Sequence, residues 1–273
     1  MLALALIAAL QENPAELRRE ARVLLEESHR LLDGGEYEQA VDAHRRGRIR
    51  EARARETLDL LLAAILPALD DEAYELREQA SARLVSLGPI VRPRIDAFLK
   101  EPLSAEIRCR LQDAALRLEA VEEDGDGRLR QWAVDATAST EYEGDRWSAR
   151  QAVGRPNSAE GGDHPTAWAS KEVDASEEWL ELRYSLEVRP LKIRIHETYN
   201  PGAVVRVEAV DASGVRRVLW AGTAAAREGG GWMSIDVPPG GPSTRALRIT
   251  LDSAAVAGWN EIDAVELIGE SVF

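Results

Sequence analysis

The spacing of apolar residues changes once along this chain, and the change divides it. Up to about residue 118 apolar side chains recur every three to four positions; from residue 132 onward they alternate. The first pattern gives one apolar stripe on a helix and the second gives one apolar face on a strand, so one periodic fold cannot account for both. All seven tryptophans fall on the alternating side, from Trp132 onward. With 273 residues there is enough chain for two domains.

On the helical side, Asn13 and Pro14 give a capped helix start, and Leu17, Ala21, Leu24, Leu25, Leu31 and Leu32 form a stripe that Asp33-Gly34-Gly35 ends. Glu36 to Leu66 reads as one helix with Gly47 as a weak point. Its arginines, Arg45, Arg46, Arg48, Arg50, Arg53 and Arg55, stand at helical spacing from Asp42, Glu51, Glu56 and Asp59, as expected of a solvated, ion-paired face. LDLLLAAILPAL, from Leu58, calls for a buried helix, and further helices follow to Leu118, the last capped by Ser104. The stretch from Asp70 to Leu118 resembles HEAT-like helical repeats, and LLDGGEYEQAVDAH is similar to a tetratricopeptide junction. Such arrays stack apolar faces and imply a protein partner; a plain helical bundle satisfies the same pattern.

Glu119 to Arg128, EAVEEDGDGR, is acidic, glycine-containing and aperiodic, and reads as a linker. Beyond it about eight short strands are expected: Trp132–Ala136, Trp179–Tyr184, Leu191–Tyr199, Val204–Asp211, Val215–Trp220, Trp232–Val237, Ala246–Leu251 and Ile262–Ile268. Strands joined by Gly- and Pro-rich turns without intervening helices indicate a β-sandwich. The fold class is therefore multidomain α plus β. Residues 13–120 form a helical array, 121–130 a linker and 131–273 a sandwich. Residues 1–12 carry the apolar run Leu2–Leu10, which reads as a secretory signal peptide and implies an extracytoplasmic protein, a cytoplasmic one if the run is not a signal.

ATASTEYEGDRWSARQAVG, then TAWAS and EEWLELRYS, resemble the opening of a discoidin domain, also called the coagulation-factor type C domain. IHETYNPGAVVRVEAVDASG and WNEIDAVELIGE are similar to a narrower branch of that family. The resemblance covers about residues 132–270. It implies a galactose-binding-like jelly roll that binds a carbohydrate, lipid head group or protein through loops at one end. It also implies a structural calcium in a loop where this chain has Gly154-Arg155-Pro156-Asn157, which removes carboxylates and adds a cation. No cofactor is expected, and Asp163 and backbone carbonyls are the remaining candidate metal ligands.

Candidate ligand-binding residues are Glu197, Tyr199 and Asn200 in the first motif and Trp259, Asn260, Glu261 and Asp263 in the second. Alternation from Ile193 and Ile195 turns Glu197 inward, and alternation from Val265 and Leu267 does the same for Asp263. Inward carboxylates need hydrogen-bond or ionic partners, so they either line a ligand pocket or pin loops; internal pinning is the commoner use. Trp259 follows Gly258 in a loop and suits sugar stacking or a protein contact, while Trp147, Trp168, Trp179, Trp220 and Trp232 read as core or edge packing. His196 falls on the outward strand face, where solvent is expected. The chain has no Gly-x-Ser-x-Gly elbow, no His-Glu-x-x-His and no P-loop, and its four histidines lack metal-ligand spacing. These features favour a non-catalytic binding protein; a pure protein scaffold and an accessory subunit of a separate enzyme are the alternatives. The net charge of −14, shared by both halves, argues against nucleic acid as a partner.

Overall fold

A computed structural model describes residues 12–158, 161–174 and 177–272. The apolar run Leu2–Leu10 lies outside the described residues. The chain forms two compact units, one ending at Leu118 and one spanning Glu119–Val272.

Among the described residues the first unit holds five α-helices: α1 (Pro14–Asp33), α2 (Tyr37–Ala68), α3 (Tyr74–Ser86), α4 (Arg92–Phe98) and α5 (Ala105–Glu119). Asn13 caps α1 by accepting the Ala15 amide at 2.9 Å. Gly35, at φ +79°, makes the tight reversal into α2. The resulting hairpin is closed by the buried Ser28 hydroxyl, which donates to the Ala40 carbonyl at 2.9 Å. The α2 arginines form the expected ion pairs, Arg45 with Asp42, Arg48 and Arg55 with Glu51, and Arg53 with Glu56. Asp59 instead pairs with Arg94 of α4. Leu58, Leu61, Leu62 and Ile65 are buried. No described helix is long and apolar enough to cross a membrane.

Gly47 is not a weak point. α2 runs through it without interruption, and the residue is buried where α1 crosses. A β-carbon there would lie 2.9 Å from Leu25 Cγ and 3.1 Å from the Ala21 carbonyl oxygen. The glycine exchanges helix propensity for a close helix–helix approach. Gly47→Leu should therefore destabilise the helical unit by about 3 kcal/mol through overpacking. Denaturant unfolding followed at the helical band checks this, and an unchanged midpoint would contradict it.

Among the described residues the second unit has ten strands: β1 (Val121–Glu123), β2 (Leu129–Trp132), β3 (Asp135–Ala138), β4 (Trp168–Ala169), β5 (Glu177–Tyr199), β6 (Val204–Val210), β7 (Arg216–Ala221), β8 (Gly231–Asp236), β9 (Thr244–Asp252) and β10 (Glu261–Ser271). All pairings are antiparallel. They resolve into two layers. One contains β3, the first half of β5, β9, β6 and β7. The other contains β1, β2, β10, the second half of β5 and β8, with β4 beside the start of β10. This is the antiparallel sandwich that the discoidin resemblance implies. Leu180, Leu182, Ile193, Ile195, Leu247, Ile249, Val265 and Leu267 are fully buried in its core.

Two of the expected strands, Trp179–Tyr184 and Leu191–Tyr199, are the halves of the single strand β5, which passes between layers. Its register with β9 breaks between Arg183 and Val188. At that break the fully buried Gln131 stands in for a neighbouring strand: its amide donates to the Leu186 carbonyl at 3.0 Å and its carbonyl accepts the Leu186 amide at 2.8 Å. The two ends of β5 lie together. Glu177 pairs with Asp252, and only four residues separate Tyr199 from Val204, the partner of Leu251.

The segment read as an acidic linker forms the β1–β2 hairpin. Asp124 Oδ1 accepts the Asp126 and Arg128 amides, both at 2.9 Å, and Gly127 takes φ +77°. Asp124-Gly-Asp-Gly is thus turn chemistry. Strands of three and four residues are too short to show a period in the sequence, which is why the hairpin reads as aperiodic.

Candidate functional site

Loops 139–147, 161–174, 200–203, 222–230 and 253–260 meet at the end of the sandwich where both ends of β5 lie. Backbone hydrogen bonds tie them together: Tyr142 N–H to the Ala169 carbonyl at 3.0 Å, Gly162 to Thr198 at 2.6 Å, Ala225 to Gly202 at 2.9 Å and Asp252 to Ala203 at 2.8 Å.

Most of the candidate residues build this end. Glu197 is buried, as alternation requires; it accepts the Gly202 amide at 2.7 Å and pairs with Arg227. Burial pushes its carboxyl above the usual range, while the Gly202 N–H and Arg227 pull the other way. Asn200 takes φ +41°, an uncommon left-handed conformation that asparagine tolerates, and its amide donates to the Trp259 carbonyl at 2.9 Å. Asn260 answers across the gap by donating to the Asn200 carbonyl at 2.8 Å. Gly258 is needed beside this clasp, since a β-carbon there would meet Asn200 Nδ2 at 2.5 Å. The two motifs therefore encode a reciprocal lock between two turns, with Glu197 fixing the first.

Glu261 is buried between loops. It accepts the Trp147 indole N–H at 3.1 Å, the His164 amide at 3.0 Å and the Thr198 hydroxyl at 3.0 Å. The same indole N–H reaches Asp163 Oδ1 at 3.1 Å. Burial, with the neighbouring Asp163 adding to it, pushes the Glu261 carboxyl up to about 7 against the partial relief of the His164 and Thr198 donors. A group whose folded value is raised stabilises the fold fully below its unfolded value and loses that contribution as pH rises through the folded one. The sandwich should lose stability on the order of 3 kcal/mol between about pH 4.5 and pH 7. Glu261→Gln should flatten that slope in thermal unfolding measured across pH; an undiminished slope would show that another group carries it.

Asp263 is buried but stands elsewhere. The β5–β10 register shifts between Ile262 and Ala264, so Asp263 is the extra residue of a bulge and leaves the face of Val265 and Leu267. Its carboxylate binds His196 Nδ1 at 2.8 Å and the Ser158 hydroxyl at 3.2 Å, with the Asn157 and Ser158 amides at 3.4 and 3.5 Å. His196 is consequently not solvated: it lies between Asp263 and the Trp232 ring, 4.8 Å away between centroids. This is also the loop in which the resemblance implies calcium. The Asp263 carboxylate is occupied by these N–H and O–H donors. Among the described residues no group of three or more His, Cys, Asp or Glu side chains could hold a metal.

What sequence reading missed is the aromatic strip. Tyr142, 44% exposed, stands nearly perpendicular to both Trp147 and Trp259, with centroids 5.3 and 5.5 Å apart. Trp147 reads from sequence as packing; in the structure it is half-buried and held by Asp163 and Glu261. Tyr199 is exposed on the strand next to Glu261. Among the described residues the non-glycine positions with positive φ are Trp147, Asp174 and Asn200, all in these loops. Tyr142 lies inside the quoted motif ATASTEYEGDRWSARQAVG, but its partner Trp259 is more than a hundred residues away and nothing local marks the pair.

Residues 122–221 match the family model described as Pappalysin-1, SD scarf domain, C-terminal. Among solved structures, the chain is similar to chitosan-binding module 1 of a chitosanase/glucanase from Paenibacillus sp. IK-5, with TM-score 0.41 and 14% identity over 50% of this chain and 94% of that one. It is similar to the family 32 carbohydrate-binding module of C. perfringens NanJ in complex with galactose, with TM-score 0.36 and 20% identity over 49% and 92%. It is also similar to the Streptococcus pneumoniae fucose-binding module SpX-3, with TM-score 0.36 and 18% identity over 49% and 91%. No curated protein matches the chain.

Proposed function

We propose that the C-terminal sandwich is a non-catalytic module that holds a carbohydrate on the Tyr142 strip. The observation that carries this reading is an exposed tyrosine braced edge-on by two tryptophans at the loop end. Sugars present flat C–H faces that stack on such rings, and a ring already held by neighbours loses little side-chain freedom on binding. Backbone strain at Trp147, Asp174 and Asn200 supports it, since left-handed non-glycine residues cost stability and gather where loop shape is used. The same reading gives the helical unit a protein contact, at the concavity between α1 and α2 that the exposed Val23 and Ile49 line. An extracytoplasmic setting rests on the Leu2–Leu10 run.

A glycan array probed with the full chain tests the reading. Binding to a restricted set of glycans is expected, lost in Tyr142→Ala. A folded protein that binds no glycan while capturing a defined protein would transfer the function to a scaffold role.

A further inference from the structure

The charges around the strip narrow the class of glycan. Asp163 meets Trp147 at one end, and at the other Asp174 accepts the amide of Gly258, next to Trp259, at 2.7 Å. Both carboxylates are exposed. Within 142–147 and 163–174 the exposed acids are Glu143, Asp145, Asp163, Glu172 and Asp174, five against the exposed cations Arg146 and Lys171. Arg146 is already drawn to the strip, its guanidinium carbon 5.3 Å from the Trp147 ring centroid, so a cation on these rings has an example within the protein itself. In the clasp next to Trp259, the Asn260 side-chain carbonyl oxygen and the Trp259 indole N–H are buried without a hydrogen-bond partner. The end is thus rich in exposed acceptors and aromatic faces and poor in cations that would meet an anionic ligand.

We infer that the strip selects glycans bearing protonated amines, that is hexosamine units without their acetyl group, over neutral and anionic glycans. The inference rests on the carbohydrate reading and adds the charge of the ligand to it. Stacking on Tyr142 supplies the affinity common to all sugars. The carboxylates at both ends supply the discrimination, because an ammonium gains charge-assisted hydrogen bonds there and a carboxylated or sulfated sugar meets like charge.

The test is calorimetric titration of the full chain with a chitosan oligosaccharide and with its fully N-acetylated counterpart of the same length, at low and high salt below neutral pH. The deacetylated sugar should bind roughly tenfold more tightly at low salt, as two or three exposed ionic contacts allow. The advantage should shrink as salt screens it, and should fall in Asp163→Asn combined with Asp174→Asn, which keep an acceptor for Trp147 and Gly258 and remove the charge. Equal binding of the two sugars, or a preference that salt does not change, would overturn the charge inference and leave the sugar-binding strip intact. Binding of neither sugar, with saturable binding of a lysine-rich peptide, would overturn both and assign the acidic strip to protein.

Discussion

Gln131→Leu should cost the sandwich about 3–5 kcal/mol, because it strands two buried backbone groups at once. Leu186 lies where β5 leaves one layer for the other, and both its amide and its carbonyl are bonded by the Gln131 side chain. Leucine fills much of the same volume and removes both bonds, so the loss measures the corner and not a cavity. A domain of this size should melt roughly 10 °C lower, with the helical unit unaffected. A change under about 1 kcal/mol would mean that the strand crosses between layers without needing this support.

Tyr142→Ala should weaken glycan binding by about 2 kcal/mol, roughly thirtyfold, and lower the melting temperature by roughly 5 °C. The ring is exposed and its two T-shaped contacts are each worth on the order of 1 kcal/mol, so the variant still folds and its binding can be measured. Tyr142→Phe separates stacking from the hydroxyl: it should retain most of the affinity. Trp259→Ala should behave differently, lowering both binding and stability, because it removes a half-buried indole packed against Tyr142 while leaving the main-chain carbonyl that Asn200 grips.

The architecture was legible in the sequence wherever a side chain's role depends on its near neighbours. Asn13, Gly35 and the alternation of Ile193, Ile195 and Glu197 mark a cap, a reversal and a buried face, and the structure has all three. The motifs around Asn200 and Asn260 mark loops that meet at one end of the sandwich. What they encode is a clasp between turns, and the proposed ligand-facing role is assigned to Tyr142 beside them. The misreadings share a physical cause. Gly47 looks like a flaw until the Leu25 side chain of another helix is placed against it. Asp263 follows alternation until a bulge turns it toward His196. Gln131, just ahead of the strand expected from Trp132, shows no role until Leu186, 55 residues away, is brought beside it. Each depends on a partner distant in sequence, and periodicity carries no information about such partners.

The measurement that bears most directly on the strip is tryptophan emission during titration with the best glycan from the array. Trp147 and Trp259 flank Tyr142, so a stacked sugar should shift and saturate the emission with the same midpoint as calorimetry, and Tyr142→Ala should move that midpoint roughly thirtyfold higher. Glycan binding that leaves the emission unchanged, and that Tyr142→Ala leaves intact, would place the sugar elsewhere on the protein and contradict the proposed site.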